Sequence, residues 1–590
     1  MHANLRGFLD MLRKEKQLAV VTAPVDPYLE IAEIHRRVID EQGPALLFTN
    51  VKGSPFPVVT NLFGTERRVE MAFGTRPEQL VRQLIAALDA LLPPTPGALW
   101  RERGLLASLM KVGARKVSAA RAPVLEVLKR EEPLAQLPAL TCWQEDGGPF
   151  ITLPLVYTEH PANGRHNLGM YRMQLYDGRT TGMHWQIHKG GGFHYHEAES
   201  CGQALPVTVF LGGPPALIAS AIAPAPENLP ELMLASLLLG QKLDMADNPN
   251  GGHRLVAQAE FAICGRVPPH VRRPEGPFGD HYGYYSLIHD FPVFEVDHVW
   301  HRKDAIYPAT IVGKPRQEDY FLGEFLQRLL SPAYPLVMPG VRSLWAYAES
   351  GVHSLAAAVV RESYSREALT TAFRILGEGQ LSLTKFLIVT DQAVDLSDFA
   401  RLFEIVLERF DPRQDLFIFN KTSFDTLDYT GKKLNHGSKA VMIGAGEPKR
   451  ALAREYAGRD IPEIRHAAAY CAGCLVVSGA GYREEPELAQ RLLAYASEQL
   501  DGWPLIVLVD DARAAVKDQT SFLWTVFTRF NPADDVHARY EVREHHLGYE
   551  LPIVIDARMK PGYPDELFPR DDIVKLVSDR WREYFPQADR

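Results

Sequence analysis

The segment Pro274–Tyr285 (PEGPFGDHYGYY) sets two carboxylates, Glu275 and Asp280, on either side of Gly-Pro-Phe-Gly. That intervening sequence makes a turn, not a helix. Such a turn can aim both acids into one pocket, where burial and mutual repulsion would raise one pKa for proton donation. The same two acids could instead cap or brace the turn. A second segment, Asn167–Glu199, packs His184, His188, His194 and His196 with Asn167, Arg172 and the run Gly190–Gly192 into 33 residues. His184/His188 or His194-x-His196 could suggest zinc. However, no Glu follows His184 as in H-E-x-x-H, and the glycine run is expected to forbid a regular helix there. Gly-rich backbone beside Arg172, His188 and Lys189 suits an anion such as a flavin phosphate better, and a plain tight loop is the alternative.

Three further signals are discounted. Val441–Gly446 (VMIGAG) and Val476–Gly481 (VVSGAG) resemble the start of a dinucleotide fingerprint but carry Lys449 and Glu484 where its third glycine belongs. Cys471-Ala-Gly-Cys474 is a lone CxxC in an apolar segment, read as packed small residues before a redox pair. His545-His546, beside Arg543 and Glu544, reads as a solvated patch.

The elements that must position these residues come from periodicity. The chain has 590 residues, 46% of them apolar, a net charge of −9 and five cysteines. That length gives a soft prior of about four domains. Few and irregular cysteines argue for a reducing, cytoplasmic setting, and the absence of a basic run argues against nucleic acid. Leu5, Phe8, Leu9 and Leu12 fall on one helical face, the pattern of a docking helix and not of a signal peptide. The longest uncharged stretch, Ala204–Pro226, holds five prolines and Gly212-Gly213, so it reads as a buried strand and a turn, not a membrane span.

Residues 1–120 read as an N-terminal α/β region, with helices near 5–17, 28–41 and 77–92 and a basic helix-like segment over 98–119. Residues 121–320 are strand-rich, 321–450 alternate helices with short strands, and 451–590 form a C-terminal extension. Within it, Ile506–Asp535 aligns without a gap to Phe386–Asp415, with Asp391/Asp511, Asp398/Asp518, Arg409/Arg529, Phe410/Phe530, Pro412/Pro532 and Asp415/Asp535 identical. This predicts a duplicated strand–helix–turn unit.

Taken together, TCWQEDGGPFITLPLV (141–156), NLGMYR (167–172), HKGGGFHYHE (188–197), EGPFGDHYGYY (275–285), LTKFLIV (383–389) and HGSKAV (436–441) resemble the UbiD-type decarboxylases, in order and to about residue 445. The resemblance implies an α/β (α+β) chain. Its central split β-barrel, flavin-reductase-like, would be the cofactor domain, flanked by α/β elements. It implies reversible decarboxylation of an aromatic or α,β-unsaturated acid, possible substrates being a hydroxybenzoate or naphthoate in quinone biosynthesis. A catabolic phenolic-acid decarboxylase or carboxylase is the alternative within the family, and a zinc hydrolase built on His184–His196 the alternative outside it. The family's acid–base trio falls on Arg172, Glu275 and Asp280. Its prenylated FMN would lie along Gly169, Met170, Tyr171 and Ala221, Ile222, Ala223, Pro224, with its phosphate on Lys385. Mn²⁺ or Mg²⁺ would be held by Asn167, His188 and Glu231, with K⁺ nearby. Implied partners are a small aromatic acid, a flavin prenyltransferase as cofactor supplier, and further copies of the chain, from dimer to hexamer. Leu505 stands where the first repeat has Lys385, so the second copy is expected to bind no second cofactor.

Overall fold

The computed structural model describes residues 2–91, 95–185, 190–223, 230–456, 458 and 460–586. The chain forms two compact units, Met1–Leu329 with Asp565–Arg590, and Leu330–Pro564. The extension read as 451–590 is therefore divided: its last residues belong to the first unit.

In the first unit the helical face of Leu5, Phe8, Leu9 and Leu12 is buried on Leu5–Lys14, which is capped by Asn4. Helices Glu30–Asp40 and Arg76–Leu91 fall where periodicity puts them, and strands Leu18–Val21, Ala45–Phe48 and Val58–Thr60 complete the α/β pattern. The basic segment over 98–119 differs. It breaks into helices Pro96–Arg101 and Arg103–Leu109 and then a strand, Ala114–Val117, parallel to Leu243–Ala246. On that strand Arg115 and Lys116 stay exposed and pair with Asp244 and Asp247, while Val117 is buried.

The main sheet of this unit is antiparallel and runs Thr180–Gly182, His289–His301, Phe261–Val267, Leu205–Leu211, Leu155–Glu159, His166–Met170. Among the described residues its two end strands do not pair with each other, so the pairing is an open path and not a closed barrel. The uncharged stretch forms strand Leu205–Leu211, then Gly212 and Gly213 at φ +72° and +98°, then helix Pro215–Ile222. A Cβ on Gly212 would come within 2.8 Å of Glu260 Cγ, so both the turn and the approach need glycine. No helix among the described residues is long and apolar enough to cross a membrane.

The second unit holds two five-stranded sheets with one plan. In the first, Val341–Ala346 pairs antiparallel with Leu355–Val360. Phe386–Thr390 and Gly437–Gly444 follow in parallel, and Leu416–Thr422 closes the edge antiparallel. The second repeats the order and sense with His466–Cys471, Cys474–Ser478, Leu505–Val509, Ile553–Asp556 and Val536–His537. The aligned sequences land on equivalent elements. Asp398 caps helix Phe399–Arg409 through the Arg401 N–H, and Asp518 caps Gln519–Phe527 through the Ser521 N–H. Asp415 and Asp535 each accept the backbone N–H four residues back, from Asp411 and Asn531. These helices meet in one apolar core that includes Phe399, Phe403, Phe522 and Phe527.

Candidate active site

Arg172 follows strand His166–Met170 and precedes Met173–Gln174, which pairs with Phe150–Ile151. Glu275 ends strand Arg272–Glu275, directly opposite His289. Asp280 lies in the turn beyond it. The fold brings the three together: Arg172 Nη2 and Nε lie 2.8 and 3.1 Å from Glu275 Oε1, and Nη1 pairs with Asp280 Oδ2. Nη2 also donates to Ser286 Oγ at 3.0 Å, and the guanidinium stands 4.7 Å over the Phe278 ring. The Glu275 carboxylate is wholly buried, and its second oxygen, Oε2, accepts from His184 Nδ1 at 2.9 Å.

The two motifs that supply this centre lock together. Asp146, in EDGG, accepts the backbone N–H of Cys142 and Trp143 on one oxygen and of Gly279 on the other, at 2.8–2.9 Å. A Cβ on Gly279 would sit 2.1 Å from Trp143 Cδ1, and one on Gly147 2.2 Å from the Gly276 carbonyl oxygen. The glycines of EGPFGD and EDGG thus serve close approach between two loops.

Charge in the centre differs from the sequence expectation. Burial pushes Glu275 upward, but Arg172, with His184, outweighs it and brings the group to about 2. Asp280 is also pushed up by burial, yet Arg172 and His281 hold it below the usual carboxylate range. Neither acid is raised, because the guanidinium sits between them and replaces repulsion by attraction. Asp146 is the carboxyl that burial does raise, to about 6, against its three backbone bonds.

The proposed metal and cofactor residues are placed in part. Asn167 is buried on strand His166–Met170, with Nδ2 lacking a partner among the described residues. Glu231 begins helix Glu231–Leu239, and its Oε2 accepts the N–H of Leu168, next to Asn167. Two oxygen donors, one on the strand and one on the helix bonded to it, are of the type that suits a hard divalent ion. His188 and Pro224 lie outside the described residues. Gly169 lets the Tyr171 ring fold back over the strand, since a Cβ there would come within 2.4 Å of the Tyr171 hydroxyl. Met170 is half-buried, and Ala221, Ile222 and Ala223 close helix Pro215–Ile222 as half-buried backbone. Lys385, in the second unit, is buried with Nζ 2.7 Å from Asp428 Oδ2.

Among the described residues the histidine-cluster reading finds no support. His184 is engaged by Glu275, His194 by Thr158 Oγ at 2.9 Å, and His196 is exposed. Among the described residues no group of three or more His, Cys, Asp or Glu could hold a metal. The glycine run does not break the helix either: Gly190–Ser200 is helical from its first glycine. Glycines are needed there because a Cβ would strike Asn167 Oδ1 from Gly190 and Trp185 Nε1 from Gly191, at 2.1 and 2.7 Å. Cys471 and Cys474 face each other in a hairpin as buried thiols. Sequence reasoning missed Asp146 and Ser286, and weighed His184 only as a metal ligand. The EDGG turn was a usable signal for the first; nothing local marks the other two, which reach the centre through tertiary folding.

The chain matches three domains of the 3-octaprenyl-4-hydroxybenzoate carboxy-lyase: the N-terminal domain over 9–88, the Rift-related domain over 115–315 and the C-terminal domain over 320–444. It is 51% identical over 588 residues, 99% of each chain, to a Chlamydia pneumoniae protein named as a component of 4-hydroxybenzoate decarboxylase. It is 38% identical over 465 residues to an Archaeoglobus fulgidus protein, covering 78% of this chain and 95% of that one. In fold it resembles the closed vanillic acid decarboxylase of Sedimentibacter hydroxybenzoicus (TM-score 0.68, 24% identity, 78% of this chain and 96% of that one). It also resembles the UbiD-class enzyme HmfF of Pelotomaculum thermopropionicum, solved with prFMN (TM-score 0.62, 26% identity, 78% and 97%). Three matched domains, in order and covering more than half of its residues, make this chain a member of the UbiD family of carboxy-lyases.

Proposed function

We propose that the chain decarboxylates an aromatic acid, reversibly, with prenylated FMN. A hydroxybenzoate is the first substrate to try, given the name of the Chlamydia pneumoniae relative, and a place in quinone biosynthesis would follow from such a substrate. The observation that carries the reading is the Arg172–Glu275–Asp280 centre, a buried cation shared by two carboxylates. Removing CO₂ leaves an electron pair on carbon, and prenylated FMN, when bound, supplies the sink that no side chain offers. Arg172 orients the substrate carboxylate and sets the charge of both acids. Glu275 delivers the proton that replaces CO₂ on carbon, and Asp280 holds the far side of the guanidinium.

Asn167 and Glu231, with His188, would hold Mn²⁺ or Mg²⁺ at the cofactor phosphate, with K⁺ beside it. Lys385 is carried over from the family resemblance as the phosphate lysine. The central domain is read as the family's split barrel, the second sheet of the second unit as a degenerate duplicate, and the enzyme as a cytoplasmic homo-oligomer supplied by a flavin prenyltransferase. The test is co-expression with such a prenyltransferase, followed by a screen of aromatic acids for CO₂ release. CO₂ release by the wild type, lost in Glu275→Gln with flavin retained, is the expected result. Equal release by both would remove Glu275 from this role.

A further inference from the structure

A carboxylate held near 2 is ionised at neutral pH. The reading of Glu275 as proton donor therefore requires something to protonate it in every cycle, and Arg172 holds no proton it can release. Among the described residues a single group stands on the other carboxylate oxygen. Because an ionised carboxylate only accepts, the 2.9 Å contact fixes the proton of His184 on Nδ1. The ring packs on Phe291 at 4.2 Å and is 95% buried, and its Nε2 has no partner among the described residues. His289 stands opposite Glu275 in the strand pair, half-buried, and its own Nε2 is also without a partner there. Its neighbours Leu287, Ile288 and Asp290 are exposed.

We propose that His184 is the relay residue of this site, acting through Glu275 by returning to its carboxylate the proton that each turnover consumes. The inference rests on the reading of Glu275 given above. In the decarboxylation direction the bond between the ring carbon and the carboxylate breaks and CO₂ leaves. The Glu275 O–H proton goes to that carbon, leaving Oε2 ionised. His184 first takes a proton from water at Nε2 and becomes imidazolium; its Nδ1 N–H bond then breaks, the electron pair staying on nitrogen, as an O–H bond forms on Oε2. The ring, left with its proton on Nε2, returns to the Nδ1–H form by exchange with water before the next turnover, so that one proton from water enters per CO₂ released. The groups whose charge acts on this line are Arg172 and Asp280 on the far side of Glu275, Arg273 and Tyr176 flanking its strand, and His289 with Asp290 on the strand opposite.

The relay is tested on the full-length enzyme in two ways. With ¹⁵N-histidine label and no substrate, NMR should show one histidine protonated on Nδ1 across the neutral range. That signal should vanish in His184→Gln and shift in Glu275→Gln. A wild-type spectrum with His184 protonated only on Nε2 would overturn the proposal. With holoenzyme, His184→Gln and His184→Asn should lower kcat about 10-fold or more. They should leave KM within twofold and the flavin spectrum unchanged, with the pH profile of kcat shifted. Wild-type kcat and pH profile in both variants would overturn the relay even where Glu275→Gln is inactive. Turnover by Glu275→Gln would instead remove the reading on which the relay stands.

Discussion

The two five-stranded sheets of the second unit share strand order and sense, yet they begin their central parallel strands on opposite kinds of residue. Register places Phe386 opposite Ala440 in one and Ile506 opposite Val554 in the other. The preceding pairs are therefore Lys385 and Lys439 in the first sheet, and Leu505 and Ile553 in the second. All four are buried. Lys385 has Asp428, Lys439 has the carbonyl of Thr384, and burial lowers both ammonium groups, Lys439 to about 8. The apolar pair needs no partner. Caps, turns and apolar strands are kept by both sheets, while the buried lysine pair at this register belongs to the first sheet alone; the second buries its own ion pair elsewhere, Asp556 with Arg558 at 2.6 Å. In the first unit Arg172 and Glu275 meet at strand ends, and the turn that carries Asp280 is braced by Asp146 through Gly279.

If buried charge at assigned positions is what serves chemistry, and not buried charge as such, removing it should cost most activity where chemistry is assigned. Glu275→Gln should lower turnover about 10²–10⁴-fold with little loss of flavin, measured as CO₂ release. Arg172→Ala should do at least as much. It should also destabilise the first unit by about 3–5 kcal/mol in denaturant titrations, because two buried carboxylates lose their cation.

Exchanging residues between the sheets probes the same contrast. Leu505→Lys places an ammonium without an Asp428 equivalent in the second sheet and should cost on the order of 3 kcal/mol or more. Lys385→Leu should cost a similar amount through the stranded Asp428, and only this variant should weaken flavin retention. Flavin loss in both would erase the distinction.

A smaller effect concerns pH. Glu275 titrates near 2 in the folded chain against an ordinary 4.5. Its contribution to stability is therefore present above about pH 4.5 and lost as pH falls through 2. Unfolding midpoints of Glu275→Gln should change less steeply across that window than those of the wild type. Smallest is the cap: Asp518→Ala and Asp398→Ala should each cost about 0.5–2 kcal/mol, alike in the two sheets.

Much of this was legible in the sequence for identifiable reasons. The 3.6-residue spacing of Leu5, Phe8, Leu9 and Leu12 marks a helix whatever surrounds it. The gapless alignment of Phe386–Asp415 with Ile506–Asp535 carries caps and turn residues that act locally. The trio was legible because EGPFGD and NLGMYR are each contiguous. What the sequence did not disclose depends on partners far along the chain. The Gly190–Gly192 run looks like a helix breaker until Asn167 and Trp185 are seen to need the space. Ala114–Val117 becomes a strand only because Leu243–Ala246 accepts it. The acids look set to repel each other until Arg172 is found between them, and His184 looks like a ligand until its Nδ1 is found on Glu275.

The central claim is that Glu275 hands a proton to carbon, and the most direct measurement follows that atom. Holoenzyme is incubated in D₂O with an aromatic acid that the wild type decarboxylates, and deuterium at the vacated ring carbon is read by mass spectrometry. One deuterium per CO₂ is expected in the wild type, and neither exchange into added product nor CO₂ release in Glu275→Gln. Deuterium incorporation by Glu275→Gln at the wild-type rate would contradict the claim.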